Sequence, residues 1–245
     1  STSGVLSFTS APDYEETTSY TATVSVTDGL TSKDQSITVN VNNLNDNAPV
    51  YTSESSFTRV EGCIGTADCW DLGTVTATDA DGNPMKFSVV TPNPPVTGYE
   101  LEIDETSGKL SLLFVADYET KNAYTGTVTV TDSADDGSQA TDQEITVSIT
   151  DIDDEAPVFT SSATFGADEN QTAIGTVTAS DADNLDTSTT TNFTVSGNEI
   201  AVDSNGVLTF NSAPDYETKS SYTTTITASD GAGNSSTQSI TVSIN

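Results

Sequence analysis

The sequence predicts an all-β chain built as a row of tandem Greek-key β-sandwiches, drawn out into an elongated rod. Three observations carry that expectation. Polar and apolar residues alternate with period two in many short runs, the mark of strands with one buried and one wet face. Asp-Gly, Gly-Asn and Ser-Gly pairs punctuate those runs at roughly ten-residue spacing and supply turns. The tripeptide Asp-Tyr-Glu occurs at Asp13–Glu15, Asp117–Glu119 and Asp215–Glu217, 104 and then 98 residues apart, so the unit is an internal repeat the size of one small β domain.

Taken in order, strands are expected at Ala22–Val26 and Ser36–Val41, at Thr74–Ala77, Thr127–Val130 and Glu144–Ile149, and at Thr223–Ile226 and Ser239–Ile244. No run of apolar residues has helical 3.6 spacing, and Thr and Ser fill most element interiors, so no helix is expected. The boundaries follow from two Ala-Pro hinges, Leu44-Asn45-Asp46-Asn47-Ala48-Pro49-Val50-Tyr51 and Ile152-Asp153-Asp154-Glu155-Ala156-Pro157-Val158-Phe159. They divide the chain into 1–48, 49–156 and 157–245. The first segment matches the end of the third, Gly4–Glu15 against Gly206–Glu217, and so corresponds to the later part of a repeat. Half a sandwich buries too little surface to fold well alone, and the expectation is a window from a longer array whose missing strands lie upstream.

Composition narrows the chemistry. The 37 acidic residues against 6 basic ones give a formal charge of −31, and histidine is absent. Such a surface repels phosphate backbones and anionic membranes, which argues against a nucleic-acid partner. Its natural small partners are hard cations, which prefer carboxylate and carbonyl oxygens. No apolar run nears the roughly 20 residues that span a bilayer, and no signal peptide is seen, so the expectation is either a mature segment or one from which the targeting and anchoring parts were cut away. Cys63 and Cys69 are the only cysteines. Without histidine they make a poor zinc site, and the redox Cys-x-x-Cys spacing is absent. A small loop disulfide is the preferred reading over two free thiols; it would stiffen the turn after Glu61 and fit an extracellular or periplasmic setting.

At the Asp-Tyr-Glu pairs, the linkers, the Asp-Ala-Asp turns at Asp79–Asp81 and Asp181–Asp183, and the early glutamates Glu61 and Glu169, the chain resembles the cadherin repeat family. The likeness is to the form found in large secreted or surface proteins of prokaryotes, and it covers the whole length as about two and a half repeats. It implies immunoglobulin-like sandwiches with calcium at each interdomain joint, held by both neighbours and the linker. Carried over residue by residue, the second joint takes Glu61, Asp117, Glu119, Asp153, Asp154, Asp181, Asp183 and Asp230, with Glu155 where the family has Asn. The first joint takes Asp13, Glu15, Asn45, Asp46, Asn47, Asp79, Asp81 and Asp132. There Asn43 replaces the family's leading Asp and the early glutamate would lie in the missing half of the repeat, so this joint is expected to be weaker or under-occupied in the isolated segment. Glu169, Asp215 and Glu217 form half of a further site, and Asp28 is a matching orphan at the front.

The resemblance implies a calcium-binding extracellular segment, a spacer or adhesion rod stiffened by several Ca2+ ions at its two linkers. Alternatives are a polysaccharide-binding module or the structural subunit of a surface layer or filament, with other copies of itself or surface polysaccharide as partners. Catalysis is not expected. Paired carboxylates could serve glycoside hydrolysis, but here they recur in every repeat and fall at linkers instead of facing one another across a single cleft.

Overall fold

The computed structural model describes residues 4–63, 70–91, 100–133, 137–183 and 191–245. Twenty strands run through them, and the described residues contain no helix. The chain divides into two compact units: 1–59, 63–116 and 123–148 form one, and 60–62, 117–122 and 149–245 form the other.

In the first unit, β1 (Ser19–Thr27) and β2 (Ser32–Asn40) form an antiparallel hairpin with Val24 opposite Gln35. A four-stranded sheet has the order β4 (Ser56–Val60), β11 (Ala140–Thr150), β10 (Ala123–Asp132), β7 (Met85–Val90). A three-stranded sheet runs β5 (Asp71–Thr74), β9 (Lys109–Leu112), β8 (Leu101–Ile103), and β3 (Val50–Tyr51) pairs with β6 (Ala77–Thr78). Strand β10 shows how sequence selects the face. Tyr124, Val128 and Val130 point inward and are buried, while the threonines between them are wetter, as period-two alternation requires. Opposite them, Leu101, Leu110 and Leu112 of the smaller sheet are buried, closing a sandwich.

The second unit repeats the plan. β13 (Thr164–Ala167), β20 (Ser235–Ile244), β19 (Ser221–Ser229) and β16 (Asn192–Val195) form one sheet. β14 (Ala173–Thr176), β18 (Val207–Phe210) and β17 (Ile200–Val202) form another, and β12 (Val158–Phe159) pairs with β15 (Ala179–Ser180). The core is Ala167, Val177, Ile200, Leu208, Phe210, Ile226, Ile240, Val242 and Ile244, each large side chain contributing about 1.5–3 kcal/mol by leaving water. β13 and β20 pair in parallel, Thr164 opposite Thr241 and Ala167 opposite Ile244.

One strand expectation is corrected. The run Thr74–Ala77 is not a single strand: β5 ends at Thr74, β6 begins at Ala77, and the two belong to different sheets. Between them Val75 is fully buried and its N–H donates to Gly108 O at 2.9 Å, while Thr76 O accepts Thr52 N–H at 2.8 Å. Alternation survives the break because the chain keeps its extended form while it changes sheet. The same crossing recurs at Val177, whose N–H donates to Gly206 O at 2.9 Å. Gly108 and Gly206 have φ of +70° and +80°, and a Cβ there would lie 2.2 Å from Val75 O or Val177 O. Only glycine fits.

The aromatic residue after each Ala-Pro-Val or Ala-Pro-hinge valine packs its repeat. Tyr51 places its hydroxyl 2.6 Å from Val128 O, and burial pushes the phenol up to about 12. Phe159 meets Phe193 with ring centroids 6.2 Å apart. Cys63 is disulfide-bonded, and Cys69, its expected partner, lies outside the described residues.

Candidate metal centre

The second acidic cluster is organised by Glu61, at the end of β4. Its backbone N–H donates to Thr150 O at 3.1 Å, and its side chain is buried. One carboxylate oxygen accepts Ile152 N–H at 2.8 Å and the other accepts Tyr118 N–H, so a single glutamate fixes the linker and the Asp-Tyr-Glu turn together. Gly62 follows with φ +66°, and a Cβ there would stand 3.3 Å from Asp154 Oδ2. That glycine lets the linker carboxylate come close.

Around this anchor three overlapping groups form, each with carboxylate oxygens within 4.8 Å of one another: Glu61, Glu119 and Asp151; Glu119, Asp154 and Asp183; Asp153, Asp181 and Asp183. Glu119 is shared by the first two groups and Asp183 by the last two. Asp183 Oδ2 accepts Glu155 N–H at 2.5 Å, but its Oδ1 is buried without a hydrogen bond. Asp151 Oδ1, Asp181 Oδ2 and Asp230 Oδ2 are buried and unpartnered in the same way. Asp230 fixes its other oxygen with Gly233 N–H at 2.6 Å and Asn234 N–H at 2.8 Å.

Charge strains this arrangement. Two carboxylates 4 Å apart repel by about 4 kcal/mol at an effective dielectric near 20. Glu119 is exposed by area, yet the loss of water around its carboxylate, with the charges of Glu61 and Asp183, pushes it up to about 7. Burial, then Glu61 and Asp183, raises both Asp151 and Asp154. Burial and the charges of Asp230, Asp181 and Asp183 raise Asp153. Burial also pushes Asp230 upward, but the Gly233 and Asn234 amides outweigh it and hold that group low.

Two expected ligands also make hydrogen bonds of their own here. Asp117 spends both oxygens on Thr120, accepting its N–H and its hydroxyl at 2.9 Å each, and stands outside the three groups. The Glu155 side chain is exposed, and the residue reaches the cluster through its backbone N–H. Asp151 was not among the expected ligands. It is the first residue of the acidic run Asp-Ile-Asp-Asp, the same position at which Asn43 departs from the family pattern, and that alignment could have found it.

The first acidic cluster, in the other unit, is plainer. Among the described residues Glu15, Asp46 and Asp81 form its one group. Asp13 is turned to its own turn, accepting Glu15 N–H at 3.0 Å and Glu16 N–H at 3.2 Å. Asn47 donates to Asp81 from its backbone at 2.9 Å and from its side chain at 3.2 Å. Asn45 Nδ2 lies 3.1 Å from each oxygen of Asp132, and Asn83 Nδ2 donates to Asn45 Oδ1 at 2.6 Å. Asp79 keeps one buried oxygen unpartnered. Loss of water raises Glu15, with Asp81 and Asp13 adding to it, while the Asn47 donors overcome burial and lower Asp81.

Glu169, Asp215 and Glu217 do come together as a further group, with Glu169 accepting Tyr216 N–H at 3.1 Å just as Glu61 accepts Tyr118. Asp28 is exposed and caps its own turn through Leu30 N–H at 2.9 Å and Thr31 N–H at 2.8 Å.

Oxygen-only ligands at turns and linkers, with buried carboxylate oxygens left unsatisfied, suit a hard divalent cation of the calcium type. Repeated β-sandwiches carrying such clusters define a class of tandem-domain proteins, and the comparisons agree on which. Residues 162–245 match the cadherin domain model. Protocadherin-11 X-linked of Pongo pygmaeus is 32% identical over 247 residues, covering 95% of this chain and 18% of that protein. Mouse Cadherin-23 EC22-24 superposes with a TM-score of 0.74 at 23% identity, covering 96% of this chain and 77% of that one. Protocadherin gammaB7 EC3-6, solved as a cis-dimer, gives 0.74 at 25% identity over 96% of this chain and 60% of that one. The chain belongs to the cadherin repeat family. It spans under a fifth of the length of the protocadherin-11 relative. Among the described residues no helix is long and apolar enough to cross a membrane.

Proposed function

We propose that the chain is a calcium-binding segment of an extracellular adhesion protein, in which ions at the linkers 43–47 and 151–155 stiffen a spacer between repeats. The domain limits 1–48, 49–156 and 157–245 belong to this reading, with the Ala-Pro hinges as its joints. One observation carries it: four carboxylate oxygens of the second cluster are buried with no hydrogen-bond donor, among groups that burial, and then mutual repulsion, have raised. A buried unpaired carboxylate is costly, and divalent ions that accept six to eight oxygens each would satisfy all of them at once.

In this reading Glu61, Glu119, Asp151, Asp153, Asp154, Asp181 and Asp183 are direct ligands of the second cluster, with Asp230 completing it. Glu15, Asp46 and Asp81 lead the first, and Asp79, Asn45 and Asp132 are held beside them. Calcium supplies the positive charge that keeps these groups ionised and close. The residues themselves do the positioning: Glu61 binds the linker backbone, Gly62 clears room for Asp154, and Asp117 and Asp13 shape the turns that present Glu119 and Glu15. Extracellular modules of this kind work with dissociation constants of about 10⁻⁴–10⁻³ M. A second copy of the chain is a candidate partner, since the protocadherin gammaB7 relative was solved as a cis-dimer.

The test is a calorimetric titration of the chelated protein with calcium, beside thermal melting with and without the ion. Several ions bound and a raised melting temperature, both reduced in Asp154→Ala, are expected. No binding at millimolar calcium would sink the proposal.

A further inference from the structure

The linkers differ at one position that decides how ready each cluster is for a cation. Asp153 and Asn45 are equivalents, each following Ile or Leu and each three residues before the alanine of its Ala-Pro hinge. In the second cluster Asp153 joins Asp181 and Asp183, and nearby oxygens of Asp181, Asp183 and Asp230 are buried with no donor. In the first cluster Asp132, which ends β10 as Asp230 directly follows β19 in the second, is already satisfied. Asn45 Nδ2 lies 3.1 Å from both its oxygens and also donates to Gly137 O, and Gln139 N–H donates to Asp132 Oδ1 at 2.8 Å. The network extends outward: Asn83 Nδ2 donates to Asn45 Oδ1 at 2.6 Å, and Gln139 Nε2 to Asn45 O at 2.9 Å.

We infer that the clusters fill in order, the second before the first, and that Asp153 against Asn45 is the specificity-determining difference. The inference rests on the calcium reading above and adds to it the regulation of those sites. A cation approaching Asp132 must turn the Asn45 amide around and break its donor network, because an N–H cannot face a cation. A cation approaching Asp153 meets donorless oxygens of Asp181, Asp183 and Asp230, a single long amide contact from Asn234 Nδ2 at 3.4 Å, and one more negative charge, and ligand charge is a main determinant of calcium affinity. Calcium at an intermediate concentration therefore occupies the cluster of 151–155 while the Asp132 side of that of 43–47 remains closed by its own amides, leaving Glu15, Asp46, Asp81 and the free oxygen of Asp79 as an incomplete set. The chain answers calcium in two steps instead of one.

Amide spectra of the whole 15N-labelled chain, followed while calcium is added to chelated protein, resolve the steps. Gly62 and Gly233 report on the second cluster through Asp154 and Asp230, and Gly82 and Asn47 report on the first through Asp79 and Asp81. The Gly62 and Gly233 shifts are expected to saturate at a calcium concentration at least tenfold lower than those of Gly82 and Asn47. Asp153→Asn should weaken the first step about tenfold and leave Gly82 unmoved, and Asn45→Asp should strengthen the second step by a similar factor. Both exchanges are nearly isosteric, spectral dispersion shows whether each variant folds, and the unsubstituted chain alone reports the order. All four amides moving together, or the Gly82 and Asn47 shifts coming first, would overturn the order while leaving calcium binding intact. No shift anywhere would overturn the calcium reading along with it.

Discussion

Residues 4–41 and 206–244 carry nearly the same pattern and live in different surroundings. Leu208, Ile226 and Ala228 of the later stretch are fully buried. Their counterparts Leu6, Val24 and Val26 are 58%, 46% and 69% exposed. The edge-on ring pair is the same in both, Phe8 with Tyr20 at 5.0 Å and Phe210 with Tyr222 at 4.8 Å. Among the described residues β1 pairs only with β2, whereas β19 and β20 are each flanked by a further strand. Period-two alternation therefore writes the strand, the hairpin register and the local ring contact. Burial comes from the opposing sheet, which the pattern of one strand does not contain.

Substitutions can break this comparison, most strongly where surroundings differ most. Gly206→Ala puts a methyl 2.2 Å from Val177 O at φ +80° and should cost about 3–5 kcal/mol, read as a lowered denaturation midpoint. Gly4→Ala, with nothing within 4 Å, should stay within about 0.5 kcal/mol. Leu208→Ala should cost about 2–5 kcal/mol as a core truncation, and Leu6→Ala less than about 1 kcal/mol. Equal costs at paired positions would mean that the early stretch is as well packed as the late one.

The acidic clusters extend the contrast to pH. Glu119 in the folded, ion-free protein is pushed up to about 7 from its ordinary 4.5. Its neutral form is thus favoured by folding: the stabilisation is full below about 4.5 and is lost as pH rises through about 7. Asp151, Asp153 and Asp154 are raised too and act in the same direction. Chelated protein should therefore melt at a higher temperature near pH 5 than near pH 8, and millimolar calcium should shrink or reverse that trend. A chelated protein that is more stable at pH 8 would contradict the crowding of these carboxylates.

The smallest effect expected is at Lys219, whose ammonium lies 2.6 Å from Glu199 and 4.2 Å from the Tyr222 ring centre. Both charges are about half exposed, so Lys219→Ala should cost no more than about 1 kcal/mol by thermal melting. Thr17 holds the same place in the early stretch, where no such pair exists to lose.

Most of the fold was legible because strand alternation, turn pairs and phase-locked tripeptides are local signals. The sheet change at Val75 was not, since an extended chain looks alike on either side of the crossing and only the partners Thr52 and Gly108 reveal it. Residue types likewise announced the acidic clusters without fixing who would face whom. Asp117 and Asp13 are expected as ligands, and the structure adds that each accepts N–H groups of its own turn, contacts that the residue types alone do not announce. Asp151 stands at the linker position where Asn43 departs from the family pattern, and its buried, donorless oxygen brings it into the cluster.

The parallel pairing of β13 with β20 has a mechanical meaning. After the short β12, the chain runs along β13, and the last strand of the unit, β20, lies beside it and runs the same way. Tension pulling the two ends apart slides the strands along each other, and the rungs from Thr164–Thr241 to Ala167–Ile244 share the load in shear. An antiparallel hairpin pulled from its open end peels one rung at a time. Here several must yield together before the sandwich opens, so resistance to force is built into where the polypeptide comes in and goes out.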